Sequence, residues 1–544
     1  MEFQYKYHGN SSVQSDAGNT SMSFAPDTNR DPTFFVGQLG QNLPFREAIS
    51  ALNDVVISDL RIKPKDRTEY FAWLEDSEQT MLAEFMAQKA DVDKKVHEIR
   101  SELTALQNQS SKILSPFYKA QNKYFNYLYK NDYDAWFVLD PVITVHPDEV
   151  FFECFSQDES SYGRLSCSYN VFSKINEHAC GTTNIDYSEG LYQEFQKIRT
   201  YKDTEFKVDP GGFEVQTTSE DTFIEQKIDL PDSWVRGFLQ VNSALTLPHI
   251  VFDLHPMDVH NILFMLRRRK ERSGPRSLRF ILKPGEPIEI VIDPWGTVLK
   301  CPRSVFKGSD EHEIRIWGRR RLLILERLIP IARRFTVRLL GSGLPSIFVA
   351  DLGDMNFTLG LSGWTANDWS RMGNFDLMAP RGEVDQSTAQ RVIDALGTHW
   401  VASSDMLAQE LGLENAVVKS ALSLYAQQGR VLYDTQNGVY RLRELSGEPL
   451  PMDQLRFSNE REEKANKLLG DVNLNDRDYQ DQKLRLSGSV KDASHNFVSE
   501  VMIDGDQRLV SGSCECNFYR QNKMNKGPCE HMLAVRMVHS REVA

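Results

Sequence analysis

Cysteine is scarce in this chain, with seven in 544 residues, and that excludes a disulfide-built scaffold of the small secreted kind. Long apolar runs are also missing. The longest uncharged stretch, Gly237 to Phe252, has 16 residues and holds Gln, Asn, Ser, Pro and His, short of a membrane-spanning helix. The opening Met1-Glu2-Phe3-Gln4-Tyr5-Lys6 lacks the basic-then-apolar order of a secretory leader, so a cytoplasmic, membrane-free location is expected. Positive charge is in deficit: 63 Lys plus Arg face 76 Asp plus Glu, a net of -13, which disfavours a protein that coats nucleic acid or a membrane surface. No phosphate loop, dinucleotide fingerprint or nucleophile elbow is present. What remains is 40% apolar and 26% charged, a composition that folds, and the length predicts several units.

The expected class is α+β and multidomain: a heptad helix, a β-rich body, a winged-helix module and a C-terminal ββα zinc finger. Residues 1–77 read as an N-terminal segment in which the Ser/Asn-rich run from Gly9 to Asp31 buries too little to be ordered, followed by a helix from Pro44 to Leu60. Residues 78–132 carry a heptad seam through Leu82, Phe85, Val92, Val96, Ile99, Leu103, Leu106 and Ile113. Residues 133–380 form the β-rich body, with runs such as Trp136–Leu139, Val142–Val145 and Ile288–Ile292 and two helices opening at Pro231 and Pro256. The run Gly360 to Trp369 mixes Gly, Ser, Trp and Asp but offers no base, nucleophile and orienter together, so its tryptophans read as packing anchors.

Charge is split along the chain. Residues 261–340 hold 19 Lys or Arg and 8 Asp or Glu, a net of +11 that leaves -24 elsewhere. The runs Arg267-Arg268-Arg269-Lys270 and Arg319-Arg320-Arg321, extended by Arg333, Arg334 and Arg338, are candidate contacts for nucleic acid or a partner. The competing reading is that they neutralise the chain's own acidic regions or lay their stems on apolar surface.

Residues 381–446 read as three helices and a hairpin: Val392, Ile393 and Leu396 mark the first helix, Ser403 or Ser404 caps the second, Gly412 ends it, and the third starts near Glu414. Val431–Tyr433 and Val439–Leu442 flank an Asn437-Gly438 turn. The arrangement resembles a winged-helix domain, which implies DNA binding, yet residues 386–446 hold five Lys or Arg against six Asp or Glu. Docking to protein or a structural role is therefore favoured over DNA reading, with Arg430, Arg441 and Arg443 on the wing as the best candidates for any phosphate contact. Residues 447–479 read as a linker helix.

Three of the seven cysteines fall in the last 31 residues. Cys514-Glu515-Cys516, twelve residues, then Cys529-Glu530-His531 supplies the four thiolate or imidazole donors of a tetrahedral zinc site. Three strands, Leu484–Val490, Phe497–Ile503 and Arg508–Ser513, would precede it. Gly527-Pro528 would open a helix packing through Leu533, Ala534, Met537 and Val538. With every position filled by protein, the zinc is structural, one ion per chain, and no catalytic residue is expected. Scattered Cys154, Cys167, His178, Cys180 and Cys301 lack paired spacing, and His255, Asp258 and His260 suit a helix cap.

This Cys-x-Cys and Cys-x-His pattern over residues 480–544 resembles the SWIM-type zinc-finger family, and its donors correspond to Cys514, Cys516, Cys529 and His531. The segment Gly341 to Trp369 is similar to one in bacterial multidomain proteins that end in such a finger. The resemblance implies binding to DNA or protein, and a system with MoxR-type AAA ATPases and von Willebrand A-type proteins. The expected function is a non-enzymatic zinc-binding adaptor or regulatory protein; the alternative is a DNA-binding protein using the basic body, the winged helix and the finger's Arg520, Lys523 and Lys526.

Overall fold

The computed structural model describes residues 33–58, 141–184, 232–270, 276–363, 384–445, 460–480, 483–493, 495–505, 509–524 and 527–543, the short strands at 12–15, 19–24 and 203–208, Trp369, and isolated positions between 192 and 200. The heptad seam and the Trp136–Leu139 run lie outside the described residues.

The body is built on an eight-stranded antiparallel sheet. Its order is Ile250–Leu254, Arg334–Leu339, Ser346–Asp351, Met355–Leu361, Ser161–Ser168, Glu149–Phe155, Val142–Val145 and Gly181–Asn184. Several strands, such as Val142–Val145 and Glu149–Phe155, are buried along their whole length, which accounts for their near-continuous apolar runs. Helix α1, Asn42–Val56, covers the sheet with Phe45, Ile49, Leu52 and Val56 recurring at helical spacing. Helix α2, Asp232–Thr246, buries Trp234 and Phe238 beside Phe155, with ring centres 5.4 and 4.8 Å away. Helix α3, Pro256–Arg268, starts on a His255 cap whose Nδ1 accepts from the Met257 N–H. A four-stranded sheet runs in the order Thr297–Val305, Pro287–Ile292, Ser277–Leu282, His312–Trp317.

The N-terminal segment does not stand apart as a unit of residues 1–77. Phe34–Leu39 is an internal strand of a five-stranded sheet, between Asp203–Val208 and Phe172–Ala179. The Ser/Asn-rich run also differs from the expected loop: Ser12–Ser15 and Asn19–Phe24 pair with each other, and the second runs parallel to Asp203–Val208. Met22 and Phe24 at alternate positions carried that strand signal, diluted by serine.

After the body come α4, Gln386–His399, α5, Ser404–Leu411, and α6, Asn415–Gln427, then the hairpin Val431–Asp434 and Val439–Leu442. Ser403 caps α5, and Gly412 ends it in the left-handed conformation at φ 64°. Val392, Ile393, Leu396, Val418 and Leu422 make a separate small core. The other side of α6 packs on α2, beside a bond from Asn242 Nδ2 to the Val431 carbonyl at 3.1 Å.

The C-terminal unit starts earlier than residue 480. Helix α7, Glu460–Lys467, is followed by a strand, Val472–Gln480, in place of the linker helix expected up to 479. It is the edge of an antiparallel sheet that continues through Lys483–Asp492, His495–Ile503 and Leu509–Cys514. Its charged composition suits an edge strand and hid it from apolar periodicity. Helices α8, Asn517–Asn522, and α9, Glu530–Val543, complete a four-stranded, rather than ββα, finger. Ala534 and Met537 of α9 are buried in the finger's core with Leu533 partly buried against it, as expected, while Val538 is only half-buried and Met532 and Val535 complete the packing face. Gly512 makes the close approach possible: a Cβ there would lie 2.7 Å from the Glu500 carbonyl oxygen and 3.0 Å from Met532 Cε.

Candidate metal centre

Cys514 is the last residue of its strand, and the chain then bends so that Cys516 caps α8, its sulfur accepting from the Tyr519 N–H at 3.4 Å. The pair therefore converges across a strand end and a helix start, rather than along one strand. Cys529 stands immediately before α9 and His531 lies in its first turn. The donor atoms of Cys514, Cys516, Cys529 and His531 all lie within 4.8 Å of one another, and all four residues are buried. His531 Nδ1 is 3.7 Å from Cys514 Sγ, close to the about 3.6 Å edge expected between sulfur and nitrogen around tetrahedral zinc. The Phe497 ring, 4.5 Å from that of His531, covers the site.

The thiols are poised electrostatically. A hydrogen bond from Cys529 and another from His531, working against burial, hold Cys514 down at about 4. Cys529 is pushed up by that same sharing of its proton and by burial. Burial disfavours charge on His531, but the Cys514 sulfur outweighs it and raises the imidazole. A buried cluster of three thiols and one imidazole is the donor chemistry of zinc, and the set fits one structural ion with no position left for a reacting water.

The outer contacts were not foreseen. Asp492 Oδ2 lies 3.3 Å from His531 Nε2, and Lys464 Nζ reaches Asp492 at 2.8 Å and Glu530 at 3.0 Å. These partners come from 39 residues before His531 and 66 before Glu530, so no local spacing announces them.

The arginine candidates divide sharply. Arg319 and Arg321 are fully buried in the 3-10 helix Arg319–Leu328 and donate to main-chain oxygens: Arg319 to Ser277 at 3.0 Å and to Asp293, Arg321 to Gly363 at 3.1 Å and to Ser160. They are internal braces and cannot touch phosphate. Arg320 is half-buried. Arg267 pairs with Glu326, Arg268 lies over the Phe264 ring at 5.1 Å, Arg269 donates to Thr297, and Lys270 is exposed. Arg333 is exposed, Arg334 pairs with Asp351 at 3.3 Å, and Arg338 donates to the Thr435 carbonyl at 2.7 Å. On the finger, Arg520 is exposed and Lys523 lies over the Tyr519 ring at 5.1 Å; Lys526 lies outside the described residues.

The wing arginines are likewise corrected. Arg441 is buried and pairs with Asp148 at 2.8 Å, Asp434 at 3.0 Å and Glu149 at 3.1 Å, while Arg443 meets Glu153 at 3.2 Å with both side chains inaccessible. Only Arg430, paired with Glu444 at 3.0 Å, remains at the surface. Beside this network a cavity of about 20 Å³ is lined by Arg164, Tyr162 and Asn437. It holds little more than one water. Cys154, Cys167 and Cys301 are buried free thiols, and among the described residues they join no metal cluster.

A closed set of three thiols and one imidazole, on an antiparallel sheet with a helix entering behind it, defines a structural zinc finger. Residues 500–535 match the SWIM zinc finger family, and the chain carries a finger of that kind. A search of curated proteins found no match. Among solved structures the chain is similar to the Proliferating Cellular Nuclear Antigen from Entamoeba histolytica, at 10% identity and a TM-score of 0.30, over 42% of this chain and 89% of that one. Among the described residues no helix is long and apolar enough to cross a membrane.

Proposed function

We propose that the chain is a non-enzymatic, zinc-dependent adaptor or regulatory protein that recognises a protein partner through its SWIM-type finger. The observation that carries this reading is where the arginines go. Arg319, Arg321, Arg441 and Arg443 spend their donors inside the protein, and DNA affinity needs cations that meet phosphates. The helical module supports the same reading. As a winged helix it would read DNA through α6, but α6 is packed on α4 and α2, which leaves Ala416, Lys419 and Leu424 as its exposed positions between Asn415 and Gln427. The resemblance to bacterial SWIM-finger proteins implies the partner class proposed, a MoxR-type AAA ATPase or a von Willebrand A-type protein.

The test is a host-lysate capture with wild-type and Cys514→Ser protein, run beside duplex and single-strand DNA titrations at two salt concentrations. An ATPase held by wild type alone supports the adaptor. Submicromolar DNA binding at physiological salt, lost on neutralising Arg268, Arg269 and Lys270, would replace it with the DNA reading.

A further inference from the structure

The SWIM match begins at residue 500, yet the donors are gripped from before it. We propose that α7 and Asp492 form the outer shell of the metal centre, so that zinc binding and the docking of α7 are one equilibrium. The inference rests on the zinc reading of the four donors.

The imidazole comes first. His531 turns Nδ1 toward Cys514 Sγ and Nε2 toward Asp492 Oδ2, 3.3 Å away. A carboxylate on Nε2 fixes the proton there and leaves the Nδ1 lone pair for the metal, which makes Asp492 a positioning residue. Asp492 is itself held by Lys464 at 2.8 Å, and the same ammonium reaches Glu530, between Cys529 and His531, at 3.0 Å. One turn earlier, Arg461 donates to the Pro528 carbonyl, adjacent to Cys529, at 2.9 Å. Its guanidinium lies 4.7 Å from the centre of the Phe518 ring, two residues beyond Cys516. Arg461 and Lys464, three apart, share one face of α7, and that face therefore reaches the neighbours of both ligand pairs.

Charge explains why this face is basic. Zinc with three thiolates and a neutral imidazole carries one net negative charge, and Asp492 and Glu530 add carboxylates beside it. Lys464 and Arg461 are the cations α7 brings against them. On its other side, Glu462 of α7 meets Arg236 of α2 at 3.8 Å, so the latch closes the finger onto the body.

The experiment uses the full chain, zinc, and a chromogenic chelator. Asp492→Asn should release zinc about 10- to 100-fold more readily, with Asp492→Glu partly restoring retention and Lys464→Met weakening it several-fold. Hydrogen exchange in wild type should show residues 460–467 losing protection on chelation and regaining it when zinc returns, while tryptophan fluorescence, with every tryptophan at or before Trp400, reports an intact body. Zinc retention within twofold of wild type for both Asp492→Asn and Lys464→Met would overturn the proposal. So would protection of 460–467 that ignores the metal. A wild-type chain that takes up no zinc would instead fail the metal centre itself.

Discussion

Replacing Arg441 by methionine should detach the hairpin from the body. The guanidinium is 2% exposed and stands among three carboxylates: Asp434 on the hairpin, Glu149 and Asp148 on the body. Burial pushes Asp434 upward, but Arg164 and Arg441 overcome it and hold the group at about 2 against an ordinary 3.8. That interval corresponds to about 2.5 kcal/mol in favour of the charged carboxylate. For Glu149 burial prevails despite Arg164 and Arg441, and the group is raised. Methionine preserves the stem's packing and removes the charge, leaving Glu149 and Asp434 with Arg164 as their nearby cation and Asp434 with its Asn437 hydrogen bonds, at a cost of about 3 to 5 kcal/mol. Arg441→Lys keeps a charge but loses the fork that serves several oxygens, and should fall between. The assay is urea unfolding at pH 7, with hydrogen exchange at Val431–Leu442 to localise the loss and zinc content to show the finger intact. Because Asp434 is depressed, its contribution is present above about pH 4 and lost as pH falls toward 2. That acid limb should flatten in Arg441→Met. A variant within about 1 kcal/mol of wild type, or one whose exchange rises evenly over the body, would refute the reasoning.

His146 gives a second pH signature. It is buried, its Nε2 donates to the Leu442 carbonyl at 2.6 Å, and burial together with Arg441 pushes it down to about 3. An unfolded histidine takes its proton near 6.5, so stability should fall as pH falls through 6.5 toward 3, by about 2 kcal/mol at pH 5; denaturation at pH 7 and 5 should show this slope, and His146→Phe should lessen it. His531→Ala should abolish zinc retention and leave residues 472–543 rapidly exchanging while the body stays protected, because so small a unit depends on its metal; a cooperative loss of the whole chain would contradict this. Gly512→Ala should destabilise the finger by about 1 to 3 kcal/mol through the clash with the Glu500 carbonyl and Met532, read as a lower finger melting temperature with unchanged zinc stoichiometry.

The zinc donors were legible because their chemistry is local: two short pairs, each within three residues, name the ligand set without knowledge of the fold. Caps were legible for the same reason, as at Ser403 and Gly412. What escaped depends on distant partners. Nothing near Arg441 signals that Asp148, 293 residues away, will bury it, and nothing in Arg319-Arg320-Arg321 says that two of the three point inward. Counting charge along a window measures composition, and a buried guanidinium bonded to main-chain oxygens contributes no accessible field. The polar edge strand Val472–Gln480 escaped because an edge needs no apolar alternation.

The internal position of Phe34–Leu39 bears on how the chain is made. This strand leaves the ribosome before either neighbour, Phe172–Ala179 or Asp203–Val208, so well over a hundred residues must be synthesised before it can pair. Non-local pairing of this kind is slow and leaves unpaired edges in the interval. Helix α1 waits similarly for the strands it covers, from Glu149–Phe155 onward. During synthesis, Phe34–Leu39 and Asn42–Val56 are therefore left open to wrong partners throughout that interval.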